Sequence, residues 1–421
     1  MRLWICISNE PRRAFIVSRA FLIIITLPVI AIVAGKHGFP FNPTLVPQAV
    51  LQHNNPFDPL AYLLAWWRWD NVFYVQIAAQ NYSHAGLTVF FPLWPATIWL
   101  LGRPLALFLP GEIPYYLASI LLSNLFFFFS LQMLYQLTQK FFDATVAKTT
   151  VWLLAFFPYS IFFSFGYTES LFLFFCLATF VFLERGRKLD WWLASLCAGL
   201  AATTRVTGAV IILAVLTYLL QHFRTLKTQK MATINALCSL LLIPLGVLLY
   251  MLYLYLRWGN PLLFLHSVID WGRHPALPLT ALFSSLWYLV TASVPLNYLY
   301  NNILDLWFTA LPIFLLIKYW RFLTLYYRIF TLTLLLYSLS TTTGFPNPLM
   351  SIPRYLMVIF PSFMLFALEW KHNSAWRRPI LILFPLILAV NVALIAIGCW
   401  VALIIKLGMG DSILHYQEAK E

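Results

Sequence analysis

The feature that most constrains this chain is a series of long apolar stretches with almost no charged residue. A helix that crosses a bilayer needs about 20 consecutive apolar residues, and several stretches are that long, for example 115–137 and 379–405. Only 10% of the 421 residues are charged, whereas a soluble domain carries about 25%. We therefore predict an all-α polytopic membrane protein that forms one integral membrane domain over residues 1–421.

The apolar stretches predict about 11 transmembrane helices. The stretch 190–221 is too long for one ordinary helix and is interrupted at Thr203-Thr204-Arg205. We therefore expect two short helices that meet at Arg205. The other predicted spans are 14–34, 115–137, 146–165, 168–184, 233–256, 303–320, 325–342, 355–370 and 379–405.

Basic residues lie in short clusters between the apolar stretches, beginning with Arg12 and Arg13. Such clusters mark cytoplasmic loops, so we assign the excess of 27 Lys and Arg over 14 Asp and Glu to topology and predict no nucleic-acid partner. The N-terminus is then cytoplasmic, and residues 35–114 form the first extracytosolic loop. Two segments must not span: 93–109, broken at Gly102-Arg103-Pro104, forms a re-entrant or interfacial hairpin, and 279–296 lies in the interface.

This topology places the unusual polar residues on one side of the membrane. Asp70 lies in the first outer loop, Glu169 in a turn between spans, Arg205 at the helix break and Arg354 in the loop 343–355. The loop 257–278 has the same orientation. A functional site on the non-cytoplasmic face is therefore predicted.

Asp70 is the candidate catalytic residue because it follows three tryptophans, Trp66, Trp67 and Trp69. A carboxylate in a water-poor place can act as a general base, and indole rings offer flat faces to sugars or lipid tails. The alternative is that the tryptophans form an interfacial belt and Asp70 pairs with Arg68.

Glu169 is a second candidate, since a carboxylate at the mouth of two spans is costly and is a functional candidate by default. Its alternative role is in a helix cap with Thr168 or Ser170. His84 could bind substrate or simply face solvent.

Arg205 and Arg354 are candidate phosphate ligands, because a guanidinium group can hold a phosphate with two hydrogen bonds. The alternative is that they reach lipid headgroups. Asn260 and Trp271 belong to the outer loop 257–278, which mixes aromatic and polar residues as carbohydrate sites and membrane interfaces both do.

Taken in order, these segments resemble the PIG-V family, the GPI mannosyltransferase 2-like enzymes and their prokaryotic relatives. The resemblance covers residues 66–361. It rests on Trp69-Asp70 with Tyr74, Asn81-Tyr82, Phe90-Phe91-Pro92-Leu93-Trp94-Pro95, Pro158, Ser160-Ile161-Phe162-Phe163-Ser164, Tyr167-Thr168-Glu169-Ser170-Leu171-Phe172, Thr204-Arg205 with Gly208, Gly259-Asn260-Pro261, Phe264, Trp271, Arg354-Tyr355 and Phe360-Pro361.

The resemblance implies a GT-C class glycosyltransferase, a multi-span enzyme that uses a polyprenyl-phosphate sugar and carries a catalytic acid in its first outer loop. Asp70 takes that role by resemblance. Many GT-C enzymes have two adjacent acids, whereas here only Asp58 lies upstream, so Asp70 is either a base or a group that orients substrate. The substrate-binding residues are then expected to be Trp69, Tyr74, His84, Tyr167, Glu169, Arg205, Asn260, Trp271 and Arg354.

The predicted reaction moves a hexose, with mannose favoured, from a polyprenyl-phosphate donor to a glycolipid or glycan acceptor, with inversion at the sugar carbon. The leaving group is a monophosphate, so we predict no metal, and we expect no cofactor. Two alternatives are a transporter or flippase for a lipid-linked glycan and another GT-C activity such as glycan polymerisation. The compartment is the endoplasmic reticulum in a eukaryote and the plasma or inner membrane in a prokaryote.

Overall fold

The structure, a computed structural model, is built almost entirely of helices, as predicted. It describes residues 8–33, 47, 49–50, 57–187, 189–227, 230–291 and 293–396.

The helices of the first half bring the chain to the break at Arg205. They are α1 (Asn9–Val33), α2 (Pro59–Leu64), α3 (Asp70–Gln80), α4 (Leu93–Leu105), α5 (Ile113–Phe141), α6 (Ala144–Ala155), α7 (Glu169–Arg185) and α8 (Asp190–Thr204), with 3-10 turns at Ala85–Val89, Ser160–Phe163 and Val206–Val210.

The second half continues from that break. Its elements are α9 (Ile211–Lys227), α10 (Lys230–Ser239), α11 (Leu242–Trp258), α12 (Leu263–Asp270), α13 (Thr280–Val290), α14 (Leu296–Lys318), α15 (Leu325–Leu339), α16 (Ile352–Leu356), α17 (Phe360–His372) and α18 (Arg377–Ala396), with 3-10 turns at Trp320–Phe322 and Ser374–Trp376 and strands β1 (His274–Pro275) and β2 (Thr341–Thr342).

Within the described residues, five helical segments are long and apolar enough to cross a bilayer. Shorter apolar helices accompany them, so the total of about 11 crossings stays a prediction. The five segments are Asn9–Ile32, Ile113–Phe141, Ile234–Trp258, Tyr298–Lys318 and Ser374–Ala396.

Helices α4 and α13 are the two segments that we expected not to span. They have 13 and 11 residues, so they are about 20 Å and 17 Å long, against a hydrocarbon core of about 30 Å. Neither helix can cross alone. The expected break within 102–104 is wrong, since α4 continues to Leu105 with Pro104 in its last turn.

Two other expectations concern where helices end. The stretch 190–221 is divided as predicted, because Arg205 adopts an extended conformation (φ −152°, ψ 136°) between α8 and a 3-10 turn. The predicted span 146–165 is wrong in length, since α6 ends at Ala155. Pro158 follows this end and has no N–H to donate to a helical hydrogen bond.

Close helix packing holds the centre of the molecule together. Gly199 of α8 lies against α11, and a Cβ atom there would clash with the carbonyl oxygen of Leu242. Small residues allow such close approach of helices in membranes. Aromatic rings bring α7, α15 and α17 together, with Phe180 packed on Tyr327, Phe330 and Phe360 at centroid distances of 4.8, 5.0 and 5.5 Å.

The two short strands join distant loops. His274 pairs with Thr342 and Pro275 with Thr341 in an antiparallel arrangement. The pairing fixes the loop after α12 beside the loop that leads into α16. It therefore brings Arg273 towards the segment that carries Arg354.

Candidate active site

Asp70 is placed by a sharp turn at the start of α3. Trp69 has a φ of 57°, in a region that residues other than glycine seldom adopt. Asp70 is then the first residue of the helix, where the helix dipole favours a negative charge. Its Oδ2 accepts a hydrogen bond of 2.7 Å from Arg354 Nη1, and its side chain is 28% exposed.

Glu169 begins α7 and is completely buried. Its Oε1 accepts hydrogen bonds from Arg354 Nε at 2.5 Å and from Arg205 Nη1 at 2.8 Å. Thr168, the residue before the helix, forms no side-chain cap. Glu169 is therefore a shared counterion of two arginines; Thr168 does not cap the helix with its side chain, but Glu169 still places an acid at the helix start, where the dipole favours it.

Arg354 connects the two carboxylates. Its side chain is 3% exposed, and its guanidinium group lies over the rings of Phe162 and Tyr167, at 4.8 and 4.7 Å from their centroids. Tyr167 in turn donates a hydrogen bond of 3.1 Å to the carbonyl oxygen of Arg68. The predicted residues Asp70, Tyr167, Glu169, Arg205 and Arg354 thus form one cluster.

Arg273 joins this cluster through Tyr355. The guanidinium carbons of Arg205 and Arg273 lie 4.6 and 5.1 Å from the centroid of the Tyr355 ring. Arg273 also donates to Thr341 Oγ1 at 3.1 Å and to the carbonyl oxygen of Met350 at 2.6 Å. Sequence reasoning missed Arg273 because its polar loop resembles any membrane-interface loop.

The cluster has an excess of positive charge. Arg205 and Arg354 pair with the carboxylates of Asp70 and Glu169, and Arg273 is joined to this group through the Tyr355 ring. The formal charge of these five side chains is therefore +1, and the carboxylate of Asp305 also lies within electrostatic reach of Arg273. Such a site attracts an anion that offers several oxygen acceptors, and a phosphate group is one.

A tight contact fixes α3 against the turn before α7. Asn71 Nδ2 donates to the carbonyl oxygen of Phe165 at 2.8 Å, and Trp94 Nε1 donates to that of Gly166 at 2.8 Å. Gly166 has a φ of 79°, and a Cβ atom there would clash with Ser119 Oγ. These neutral groups hold Asp70 and Glu169 in register. Trp94 belongs to a motif of the family resemblance, whereas nothing in the sequence marked Asn71 or Gly166.

Asp305 forms hydrogen bonds to two of the segments that build the charged cluster. Its Oδ1 accepts from Tyr159 OH at 2.7 Å, and its Oδ2 accepts from Asn347 Nδ2 at 3.1 Å. Tyr159 precedes Glu169 in the chain and Asn347 precedes Arg354. This buried carboxylate of α14 therefore ties together the two segments that form the charged cluster.

Two of the three tryptophans before Asp70, Trp66 and Trp67, do not belong to an interfacial belt. Trp66 and Trp67 are 5% and 1% exposed. Trp66 stacks on Phe165 and Trp67 on Tyr116, with centroid distances of 3.7 and 4.8 Å. They are packing residues of the protein interior, so the belt alternative is wrong for both. Trp69 is half-buried beside Asp70.

Tyr74 lies on the same face of α3 as Asp70, four residues on, and is within electrostatic reach of the charged cluster. Its ring packs edge-on against Phe90 with a centroid distance of 5.0 Å. This buried tyrosine therefore belongs to the wall of the site.

Trp271, Asn260 and His84 have other contacts. Trp271 Nε1 donates to the carbonyl oxygen of Gly86 at 3.0 Å, and Asn260 Oδ1 accepts from the backbone N–H of Leu262 at 3.0 Å. His84 is largely exposed, and partial desolvation of its ring lowers its pKa. No hydrogen bond or ion pair between described residues joins these three to the charged cluster, although Trp271 packs edge-on against Phe90, the ring that also packs on Tyr74.

A sequence profile of the family described as "Mannosyltransferase (PIG-V)" matches residues 12–366, most of the chain. The chain belongs to the PIG-V mannosyltransferase family. This assignment confirms the resemblance seen in the sequence, and all residues of the charged cluster lie within the matched region. PIG-V mannosyltransferases are glycosyltransferases, and the long apolar helices described above identify an integral membrane member.

Similarity to individual proteins is more distant. The GPI mannosyltransferase 2 of Drosophila pseudoobscura pseudoobscura is 25% identical over 254 residues, which are 57% of this chain and 56% of that protein. The chain thus matches just over half the length of this curated relative.

Among solved structures, the crystal structure of the Archaeoglobus fulgidus oligosaccharyltransferase with zinc and sulfate has a TM-score of 0.41 and 13% identity, covering 94% of this chain and 55% of that chain. Another structure, of the archaeal oligosaccharyltransferase AglB from Archaeoglobus fulgidus in complex with an inhibitory peptide and a dolichol-phosphate, has a TM-score of 0.39 and 12% identity, covering 90% of this chain and 55% of that chain.

Proposed function

We propose that this protein transfers a mannosyl group from a polyprenyl-phosphate donor to a hydroxyl group of a glycolipid or glycan acceptor. The observation that carries the proposal is the buried cluster in which Arg354 joins Asp70 to Glu169, in a chain of the PIG-V mannosyltransferase family. The residues come from segments up to 284 positions apart, so the fold has assembled them.

Arg205 and Arg273, which contact Tyr355, are suited to bind the phosphate of the donor. Arg205 is partly exposed, with 15% of its side chain accessible, and Arg273 is half-buried. Both lie against Tyr355, and the carboxylates of the cluster leave an excess charge of one. We assign Arg205 and Arg273 to the phosphate that departs from the sugar, whereas Arg354 holds the two carboxylates.

Asp70 is the carboxylate that a substrate can reach, since Glu169 is fully buried. In the proposed reaction the acceptor oxygen forms a bond to the anomeric carbon, and the bond from that carbon to the phosphate oxygen breaks. The phosphate leaves with the bonding electrons towards Arg205 and Arg273, and the acceptor proton passes to Asp70. A single displacement of this kind inverts the anomeric carbon.

The position of the charges favours an enzyme over a transporter. A transporter reading predicts paired ionisable residues near the bilayer midplane, whereas Asp70 and Glu169 are the first residues of α3 and α7, and Arg205 follows the last residue of α8. We place this end of the bundle on the non-cytoplasmic face, in the endoplasmic reticulum of a eukaryote or the plasma membrane of a prokaryote.

The test compares Asp70→Asn with Asp58→Asn in membranes supplied with a radiolabelled polyprenyl-phosphate mannose. Asp58 caps α2 by accepting from the N–H of Leu60 at 2.9 Å, and asparagine can keep that cap. Loss of a general base lowers turnover about 10²- to 10⁴-fold, so we expect this loss for Asp70→Asn and near wild-type transfer for Asp58→Asn. Wild-type turnover by folded Asp70→Asn protein would refute the base assignment.

A further inference from the structure

A second cation, Arg19, is buried in the middle of α1, away from the cluster described above. Arg19 is 9% exposed. It donates to Ser18 Oγ at 3.3 Å, to Ser164 Oγ, and to the carbonyl oxygen of Ala155 at 3.5 Å. Its guanidinium carbon lies 4.8 Å from the centroid of the Phe127 ring.

All of these partners are neutral. Within the part of the chain that the structure describes, no carboxylate forms an ion pair with Arg19. Arginine stays protonated in proteins. A charged side chain within a membrane span is energetically costly, usually has a function and usually has a polar or charged partner. The missing negative charge is therefore expected from a bound molecule.

Arg19 lines a cavity of about 370 Å³ between α1, α2, α5 and the turn before α7. Small-molecule sites have volumes of about 300–1,000 Å³, so the space is large enough for part of a ligand. Polar atoms are gathered at the arginine end, where Ser164 Oγ donates to Asn124 Oδ1 at 3.1 Å. The rest of the lining is mainly apolar and includes Leu22, Leu27, Leu63, Trp66 and Phe165.

We propose that this cavity binds a membrane lipid that carries a phosphate group, with the phosphate against Arg19 and part of its hydrocarbon chain along the apolar wall. An amphiphile of this kind supplies the missing charge and covers the apolar surface together. The site is separate from the proposed donor phosphate site, since Arg205 and Arg273 do not line the cavity. The proposal does not depend on the transferase reaction.

The cavity adjoins the segments that build the charged cluster. Trp66 and Phe165, which stack on each other at 3.7 Å, are part of its wall. Trp66 lies four residues before Asp70, and Phe165 lies four residues before Glu169. A lipid bound at Arg19 would therefore contact the same loops that hold the two carboxylates.

The test counts lipids retained by the full-length protein in native mass spectrometry. The protein is held in a neutral alkyl-glycoside detergent and supplied with either phosphatidic acid or polyprenyl phosphate, with diacylglycerol and polyprenol as the matched lipids without phosphate. Because polyprenyl phosphate can also occupy the proposed donor site, the readout is the number of molecules lost on Arg19→Gln. Retention of phosphatidic acid points to a bilayer phospholipid, and retention of polyprenyl phosphate alone points to an isoprenoid lipid.

The variants separate charge, space and folding. Arg19→Gln should weaken retention of the phosphate lipid at least about tenfold, the worth of one charge-assisted hydrogen bond, and Arg19→Lys should restore much of it. Leu63→Trp should also reduce retention, because it fills the cavity while Arg19 stays in place. Arg13→Gln is the control on the same helix, since the Arg13 side chain is 68% exposed.

Equal retention by wild type and folded Arg19→Gln would overturn the proposal, as would equal retention of the lipids without phosphate. The same holds if Arg13→Gln lowers retention as much as Arg19→Gln, or if Leu63→Trp leaves it unchanged. In those cases Arg19 serves only to join α1 to the segment around Ala155 and Ser164.

Discussion

Replacing Glu169 with glutamine removes a buried charge with little change of shape. In the native protein, Glu169 Oε1 accepts from Arg354 at 2.5 Å and from Arg205 at 2.8 Å. After the replacement, Arg354 is still 97% buried and keeps one carboxylate partner, Asp70, at 2.7 Å. The variant thus leaves a buried guanidinium group with half of its former counter-charge.

The expected cost follows from that change. Removing one partner of a buried ion pair costs about 3–5 kcal/mol in free energy of unfolding, and the remaining pair with Asp70 puts Glu169→Gln at the lower end, about 3 kcal/mol. Replacing both members of a buried pair by apolar residues is often neutral. The double variant Glu169→Gln with Arg354→Met should therefore be no less stable than Glu169→Gln alone, although it should be inactive.

The assay is unfolding by sodium dodecyl sulfate in mixed micelles, monitored by tryptophan fluorescence. It compares Glu169→Gln, Arg354→Met, the double variant and a control. Glu112→Gln is the control, because Glu112 is only half-buried and its partner at 2.9 Å is the neutral Gln80. We expect less than about 0.5 kcal/mol for it, as for surface substitutions in general. The reasoning is refuted if Glu169→Gln is as stable as wild type, or if the two single losses add fully in the double variant.

Two further predictions concern the shape and the charge of the site. Gly166→Ala should lose about 1–3 kcal/mol of stability and most of the transfer activity, because its φ is 79° and the new Cβ would meet Ser119 and Asn71. Gly111→Ala is the control for backbone strain alone, since its φ is 64° and nothing lies within 4 Å of the new Cβ. Equal losses in both variants would contradict the role of the clash. Arg273→Gln should raise the KM for the polyprenyl-phosphate donor about 10- to 100-fold, the effect of losing a hydrogen bond to a charged group. Steady-state kinetics measure this KM, with Arg257→Gln as the control because Arg257 is exposed. An unchanged KM would show that Arg273 does not bind the phosphate.

The sequence was informative where a residue type was rare in its surroundings. Asp70, Glu169, Arg205 and Arg354 stand out because charge is costly within apolar stretches, and the structure brings all four together. The break at Arg205 could be read for the same reason, together with the excessive length of the stretch 190–221.

The contacts that pair these charged residues with one another could not be predicted from the sequence. Nothing in the local sequence links Arg354 to Asp70, 284 residues away, or divides Glu169 between two arginines. Arg273 lies in a polar loop where an arginine is common, and Asn71 and Gly166 are neutral residues whose value depends on a close approach between distant segments. Trp66 and Trp67 were ambiguous because the same residue type is favoured at membrane interfaces and in aromatic packing.

Arg19 is a residue whose special environment could not be predicted from composition. It falls inside the first apolar stretch, where one charge does not prevent the prediction of a span, and so it was absorbed into that span. Only the structure shows that the side chain is buried, that its partners in the described chain are neutral, and that it lines a cavity. The number of crossings and the orientation of the bundle rest on charge patterning and stay predictions.

The central claim is that Asp70, Glu169, Arg205, Arg273 and Arg354 form one site for a lipid-linked sugar phosphate. Its most direct test is an electron cryomicroscopy structure of the full-length protein in nanodiscs with bound polyprenyl phosphate. We predict phosphate density within hydrogen-bond distance of Arg205 or Arg273, close to Asp70, and at the non-cytoplasmic end of the bundle. Phosphate density that contacts neither arginine, or a cluster that opens to the cytoplasm, would contradict the account.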